Sequence, residues 1–231
     1  MTRIFLVRHG ENPANLTKEF SHKRIDYDLN AKGRLQAVQT AEHFSRFAID
    51  GIYSSPLKRA YRTAERIAAA IRKPVAIAEE LREIDVGYLE NEPPTKANWE
   101  MYFAVVDAWL DGDRGKRFRD GESYTELVER FSRFLIDVTG KHDGRSVVAV
   151  GHGGIFALAI ADLCAVDDKK AFSVIRNHNC SIGVVETVIE DGRLNVDLID
   201  WANHSHLSGE AADFVDGLPY KGTIRCGRNR L

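Results

Sequence analysis

Two four-residue runs, Ile4-Phe5-Leu6-Val7 and Val147-Val148-Ala149-Val150, are apolar at every position. A strand with one wet face alternates apolar and polar side chains. A strand that is apolar on both sides must be covered on both faces, which is the habit of a parallel sheet flanked by helices. Between and after these runs, apolar residues recur at helical spacing: Leu35, Val38, Ala41, Phe44 and Ala48; then Ala60, Ala64, Ile67, Ala68 and Ile71; then Leu127, Val128, Phe131, Phe134, Leu135 and Val138. Trp99, Tyr102, Phe103, Val106, Trp109 and Leu110 form a further stripe, read as core rather than as a cap that touches a ligand. Short strands are expected at Gly51 to Ser54 and Val75 to Ile77, and a helix from Ile155 to Leu163. Two late strands, near Ile182 to Ile189 and Leu194 to Ile199, join through Asp191-Gly192 as an antiparallel hairpin at one edge. The expected fold is therefore α/β, a three-layer sandwich with a mostly parallel central sheet, helices on both faces and an antiparallel edge strand near the C-terminus.

The chain of 231 residues, 44% of them hydrophobic, is long enough for one well-filled core. No linker divides it, so one domain is expected over residues 1–204. Residues 205–231, which lose periodicity, read as a tail of uncertain order that includes Arg225, Arg228 and Arg230. A net charge of -2 gives no basic excess for nucleic acid. No apolar run approaches the ~20 residues that cross a bilayer. The first apolar run is cut short by Arg8-His9 and is too short for a signal-peptide core, and the cysteine usage leads to the expectation of a reduced cytoplasmic location. Cys164, Cys180 and Cys226 are odd in number and none stand at C-x-x-C spacing, which argues against a disulfide framework or a thiolate metal site. His204 and His206 are two apart but lack acidic or thiol partners at ligand spacing, so no metal site is expected.

In open α/β sheets, ligands bind at the carboxyl ends of strands. Two segments put histidine there: Val7-Arg8-His9-Gly10-Glu11 and Val150-Gly151-His152-Gly153-Gly154. A third, Ser54-Ser55-Pro56-Leu57-Lys58-Arg59, brings an arginine to a strand-to-helix turn. Neutral imidazole is a good nucleophile near pH 7, and guanidinium groups meet phosphoryl oxygens with charge-assisted, bidentate bonds. The helix after Gly153-Gly154 adds oriented N–H groups, with Gly153 first among them. Such a set can form a phosphohistidine, provided a carboxylic acid protonates the leaving group. Glu83 is the candidate and Asp85 its local competitor. A plainer reading stands beside this one, in which the histidines are structural and the glycines serve only a tight turn.

These segments also resemble a known family. Leu6-Val7-Arg8-His9-Gly10-Glu11 through Asn15, Leu29 to Ala37, Ser54 to Ala60 with Thr63-Ala64, Leu81-Arg82-Glu83 with Gly87, Gly121-Glu122-Ser123, Gly151 to Gly154, and Asn179-Cys180-Ser181-Ile182 resemble, in order, the motifs of the histidine phosphatase superfamily, the phosphoglycerate mutase-like proteins. The resemblance spans about residues 3–200. It implies that His9 is the phosphorylated nucleophile, that Arg8, Arg59 and His152 complete the phosphate pocket, that Glu83 is the general acid, and that Asn15 touches phosphate or substrate. It implies no metal and no dissociable organic cofactor, with a small phosphorylated molecule as substrate.

The chain departs from the family between Asn15 and Leu29, where Phe20 to Asp28 replaces a short glycine-containing turn. Ser21, Lys23 and Arg24 in this loop are candidate substrate contacts, the two cations for a second anionic group; the alternative is a solvated basic loop. After Gly87, Glu90-Asn91-Glu92-Pro93-Pro94 replaces an acidic-glycine pair. The family's mutases carry a longer insertion before Gly-Glu-Ser and an adjacent arginine pair for the substrate carboxylate. Here only Tyr88 to Asp120 intervenes, and Arg114, Arg117 and Arg119 are scattered. A mutase must keep water from its phosphohistidine, so the short cover favours hydrolysis over mutase chemistry. A catalytically silent binding module is the third reading, disfavoured because Arg8, His9, Arg59, Glu83 and His152 are all present. Substrate specificity is expected to reside in the Phe20 to Tyr27 loop and the Glu92 to Asp120 segment, while the natural substrate and oligomeric state stay open.

Overall fold

The structure is a computed structural model and describes residues 1–169, 172, 177–215 and 219. Its elements are β1 (Thr2–Arg8), α1 (Pro13–Thr17), α2 (Ala31–Phe44), β2 (Gly51–Ser54), α3 (Lys58–Ile71), β3 (Val75–Ile77), α4 (Lys96–Leu110), α5 (Tyr124–Lys141), β4 (Ser146–Gly151), α6 (Gly153–Leu163), β5 (Ile182–Glu190) and β6 (Arg193–Asn203). Short 3-10 turns occupy Glu79–Leu81, Gly87–Asn91 and Gly209–Ala212. Arg225, Arg228, Arg230 and Cys226 lie outside the described residues.

The six strands run in the order β3-β2-β4-β1-β5-β6. The first four are parallel, β5 pairs antiparallel with β1, and β6 pairs antiparallel with β5. The all-apolar runs occupy β1 and β4 at the centre. Side-chain alternation splits each run between two cores. Ile4, Leu6, Val147 and Ala149 face a core shared with α4, α5 and α6, whereas Phe5, Val7, Val148 and Val150 face one shared with α2 and α3. This is the three-layer arrangement expected from the double-sided burial of the runs.

Local chemistry sets several helix starts. Asn12 caps α1 in a reciprocal capping box with Asn15, with proline in the first turn. Ser123 of Gly-Glu-Ser caps α5, paired with Glu126 in a second capping box. The aromatic stripe of α4 is mostly core: Trp99, Val106 and Trp109 are buried, and Tyr102 and Phe103 half-buried.

The stripe read for α2 differs from the observed one. Leu35 and Val38 face solvent, Ala48 lies past the helix end, and the buried face is Gly33, Gln36, Ala37, Thr40, Ala41 and Phe44. Polar side chains with defined partners choose this face. Gln36 accepts from the Glu11 N–H at 2.9 Å and donates to Ala211 O at 3.1 Å, while Thr40 donates to Gln36 O at 2.8 Å. Through these bonds α2 holds both the loop after β1 and the turn at Gly209–Ala212, where Leu207 and Ala211 pack beside Cys180.

Candidate active site

The carboxyl ends of β1, β4 and β2, with the loop after β3, meet on one rim of the sheet. The ladder continues past the strands: the His9 N–H donates to Gly151 O at 3.0 Å and the Ser55 N–H to Val150 O at 2.9 Å. Gly10 sits where a side chain does not fit, since a Cβ there would lie 2.6 Å from Gly33 O. The turn therefore presses against the first turn of α2, and its N–H donates to Thr63 Oγ1 of α3 at 3.0 Å.

These contacts fix His9, which is 3% exposed. Its Nδ1 lies 2.8 Å from Gly10 O, and its Nε2 accepts from Arg59 Nε at 3.1 Å. The proton therefore resides on Nδ1 and the Nε2 lone pair points at Arg59. Burial, then the charges of Arg59 and Arg8, hold the imidazole pKa well below its ordinary value, against a smaller opposing effect of the Gly10 bond. His9 is neutral at pH 7.

Arg59 occupies the first turn of α3. Its Nη1 donates to Ser21 Oγ at 2.8 Å and its Nη2 to Ser21 O at 2.7 Å. Burial lowers the guanidinium pKa to about 10, opposed by the charges of Glu83, Asp26 and Glu90, so it stays charged. Arg8 is also buried, and its Nη1 donates to Asn177 O. His152 is fully buried beside His9, ring centroids 5.1 Å apart, with Nε2 2.9 Å from Ser55 Oγ. Arg8 Nε and His152 Nδ1 are buried polar atoms with no hydrogen-bond partner among the described residues. Such atoms are rare in folded proteins, and two of them in one cationic pocket mark a place that suits an anion's oxygens.

Glu83 belongs to the same constellation. Its Oε1 accepts from the Ile155 and Ile84 N–H groups at 2.9 and 3.0 Å, and its Oε2 from the Gly154 N–H at 3.1 Å. This changes one expectation: the α6 N-terminal donors at Gly154 and Ile155 meet a carboxylate of the protein itself, as the helix dipole favours. Gly153 is left as the first donor of the helix, and its Cα packs against Arg8, since a Cβ there would lie 3.4 Å from Arg8 Nε. Asp85, the competitor, is partly exposed; its Oδ2 is 3.5 Å from His22 Nε2 and its Oδ1 accepts from the Gly87 N–H.

The substrate-binding candidates fall into two groups. Ser21 lies at the pocket and is occupied with Arg59. Asn15 also borders it: its Oδ1 accepts from the Asn12 N–H at 3.1 Å and from Asn179 Nδ2 at 3.2 Å. Lys23 and Arg24 are exposed, and Arg24 donates to Asn91 Oδ1 rather than pointing to the rim.

Further residues support the site: Asn179 and Glu90, to which the sequence assigns no role of their own, and His22, a candidate substrate contact by its place in the loop. Asn179 Nδ2 donates to His9 O at 3.0 Å and ties His9 to Asn15. Glu90 Oε1 accepts from the consecutive N–H groups of His22, Lys23, Arg24 and Ile25 at 2.8, 2.5, 2.8 and 3.3 Å. Burial pushes the Glu90 carboxyl up, but these donors outweigh it and hold its pKa below the ordinary value. His22, buried, sets its Nδ1 2.6 Å from Glu83 O. The loop that departs from the family pattern is thus anchored by Glu90 and buttresses Arg59 and Glu83. Above it, Phe20 packs on Trp99 and Tyr102 at 4.4 and 5.8 Å, and burial together with the charge of Glu83 pushes the Tyr102 phenol pKa up. Among the described residues no cluster of three or more His, Cys, Asp or Glu side chains is arranged to hold a metal ion, and no helix is long and apolar enough to cross a membrane.

The sequence and the fold have parallels among known proteins. The chain is 31% identical to the Bacillus subtilis protein named uncharacterized phosphatase PhoE, over 90% of this chain and 98% of that one. It is 34% identical to the probable phosphoglycerate mutase GpmB of Citrobacter koseri, over 80% and 85%. Among solved structures, phosphoserine phosphatase from Entamoeba histolytica in complex with 3-phosphoglyceric acid superposes with a TM-score of 0.73 at 26% identity, over 90% of this chain and all of that one. Residues 4–201 match the histidine phosphatase superfamily (branch 1), and the chain belongs to that family.

Proposed function

We propose that the protein is a phosphomonoesterase acting on a small phosphorylated molecule through a phosphohistidine at His9. The observation that carries this reading is the placement of His9: its Nε2 accepts from Arg59 Nε at 3.1 Å beside His152, which leaves the proton on Nδ1 and sets the lone pair where a phosphoryl group drawn to Arg59 would meet it. In the first step the Nε2 lone pair forms a bond to phosphorus while the ester P–O bond breaks. The leaving oxygen takes a proton from the Glu83 carboxyl, which picks it up from solvent as the negatively charged phosphate enters beside it. Oε2, which holds one N–H contact against two at Oε1, is the oxygen with room for that proton. In the second step water attacks phosphorus and gives its proton back to Glu83, and the P–N electrons return to Nε2. Arg8 and Arg59 stabilise the charge spread over the phosphoryl oxygens in both steps. Asn15 and the Gly153 N–H are the further contacts we assign to the substrate, and Ser21 serves through Arg59.

Mutase chemistry is the second reading, favoured by the name of the Citrobacter relative. Against it stands the shortness of the segment between Gly87 and Gly121, which holds α4 as its one long helix and leaves little chain to shield a phosphohistidine from water. Hydrolysis of p-nitrophenyl phosphate without added metal, measured beside purified His9→Ala protein, tests the proposal. Turnover in the wild type that vanishes with His9 is expected. Undiminished turnover in His9→Ala would overturn it, and phosphoglycerate isomerisation faster than hydrolysis would replace it with the mutase reading.

A further inference from the structure

Glu83 lies between two 3-10 turns, in a stretch with no helix or strand of its own. Its backbone groups must find partners elsewhere, and those partners decide where the carboxyl is held. Beside His22, whose Nδ1 lies 2.6 Å from Glu83 O, the Gly-Glu-Ser segment and α5 supply them. Arg130 Nη1 donates to Glu80 O at 2.6 Å and Arg82 O at 2.9 Å, and its Nη2 reaches Glu83 O at 3.4 Å. Its remaining donors meet Glu122: Nη2 to Oε1 at 2.8 Å and Nε to Oε2 at 3.2 Å. Glu122 grips the other side of the stretch, since Oε1 accepts from the Asp85 N–H at 2.9 Å and the Glu122 N–H donates to Asp85 O at 3.0 Å. The preceding Gly121 permits this approach, because a Cβ there would lie 2.3 Å from Asp85 O.

We propose that Arg130 and Glu122 are a positioning pair for Glu83, which sets the reach of its carboxyl toward the leaving oxygen without touching substrate. The role rests on the reading of Glu83 as proton donor. Only the planar fork of arginine can serve three carbonyls and a carboxylate at once, and the charge of Glu122 keeps that fork turned toward residues 80–83. The pair makes no hydrogen bond to Arg8, His9, Arg59 or His152, and the Arg130 charge is the smallest of the effects named on His152, so it acts on proton delivery far more than on phosphate capture.

The test compares Arg130→Lys and Glu122→Gln with Glu83→Gln on an alkyl phosphate and on p-nitrophenyl phosphate, whose leaving group needs little protonation. Inhibition by vanadate is measured in parallel. General acid catalysis contributes ~10²–10⁴-fold and small misplacements forfeit a large part of it. Both pair variants should therefore lose about 10- to 100-fold in kcat on the alkyl ester, several-fold less on the aryl ester, and nothing in vanadate affinity. A purely structural pair would leave the alkyl-to-aryl ratio of the folded protein unchanged, and that result overturns the proposal. If Glu83→Gln itself lacks the split, the acid assignment fails and the pair's role falls with it. A split in Glu83→Gln alone refutes only the pair. Should Arg130→Lys not fold, the nearly isosteric Glu122→Gln decides.

Discussion

Removing the Glu90 carboxylate should release the loop of residues 21–25 while leaving the sheet intact. Four successive N–H groups of this loop, in a stretch without helix or strand, converge on Oε1. Charge-assisted bonds of this kind contribute ~1.5–3 kcal/mol each. Three of the four are 2.8 Å or shorter. Ordering the four backbone residues opposes them at ~1 kcal/mol or more apiece. The balance is a local opening free energy of about 2 kcal/mol, or a roughly 30-fold slowing of amide exchange. Hydrogen exchange read residue by residue should show the His22, Lys23, Arg24 and Ile25 amides protected to that extent in wild type and unprotected in Glu90→Ala. The same variant should lose turnover, because Ser21 then no longer fixes Arg59. Acid should act in the same direction. The carboxyl pKa is depressed in the folded protein, so its contribution is present above the unfolded carboxylate value and is lost as the pH falls through the folded one. Free exchange of these amides in wild type, or protection that survives in Glu90→Ala, would refute the account.

Inorganic phosphate at ten times its Kd should stabilise the protein by ~1.4 kcal/mol and raise Tm by roughly 3–5 °C, an effect that Arg59→Ala removes; an equal rise in the variant would place the anion elsewhere. Thermal stability should fall as the pH drops below 6.5. Burial lowers the folded-state pKa of His9, His152 and, to about 4, His206, so the unfolded chain binds more protons below the ordinary histidine value of 6.5. A flat Tm between pH 7 and 5 would contradict that. Gly154→Ala places a Cβ 2.7 Å from Glu83 Oε1 and should slow alkyl esters at unchanged vanadate affinity. Gly33→Ala, whose Cβ would meet the Glu11 carbonyl at 2.0 Å, should instead fail to fold well, seen as loss of soluble protein.

His9, His152 and Arg59 were legible in the sequence because each sits within a few residues of a strand end, so one local segment states both its chemistry and its place on the rim. The sheet was legible for a related reason, since double-sided burial is written into four consecutive residues of β1 and β4. The residues that hold the site are of another kind. Glu90 is 65 to 68 positions from the amides it binds, and Arg130 is 47 to 50 positions from the carbonyls it gathers. Their partners are backbone N–H and C=O groups, which every residue carries and no sequence pattern distinguishes. The exposed Leu35 and Val38 show the same limit on the packing side, because α2 is turned inward by the polar pair Gln36 and Thr40, whose partners become visible only when the chain is folded. The candidate reacting groups of this pocket are thus encoded locally and their supports non-locally. A substitution at Glu90, Glu122 or Arg130 should therefore alter catalysis while every recognisable motif remains in place.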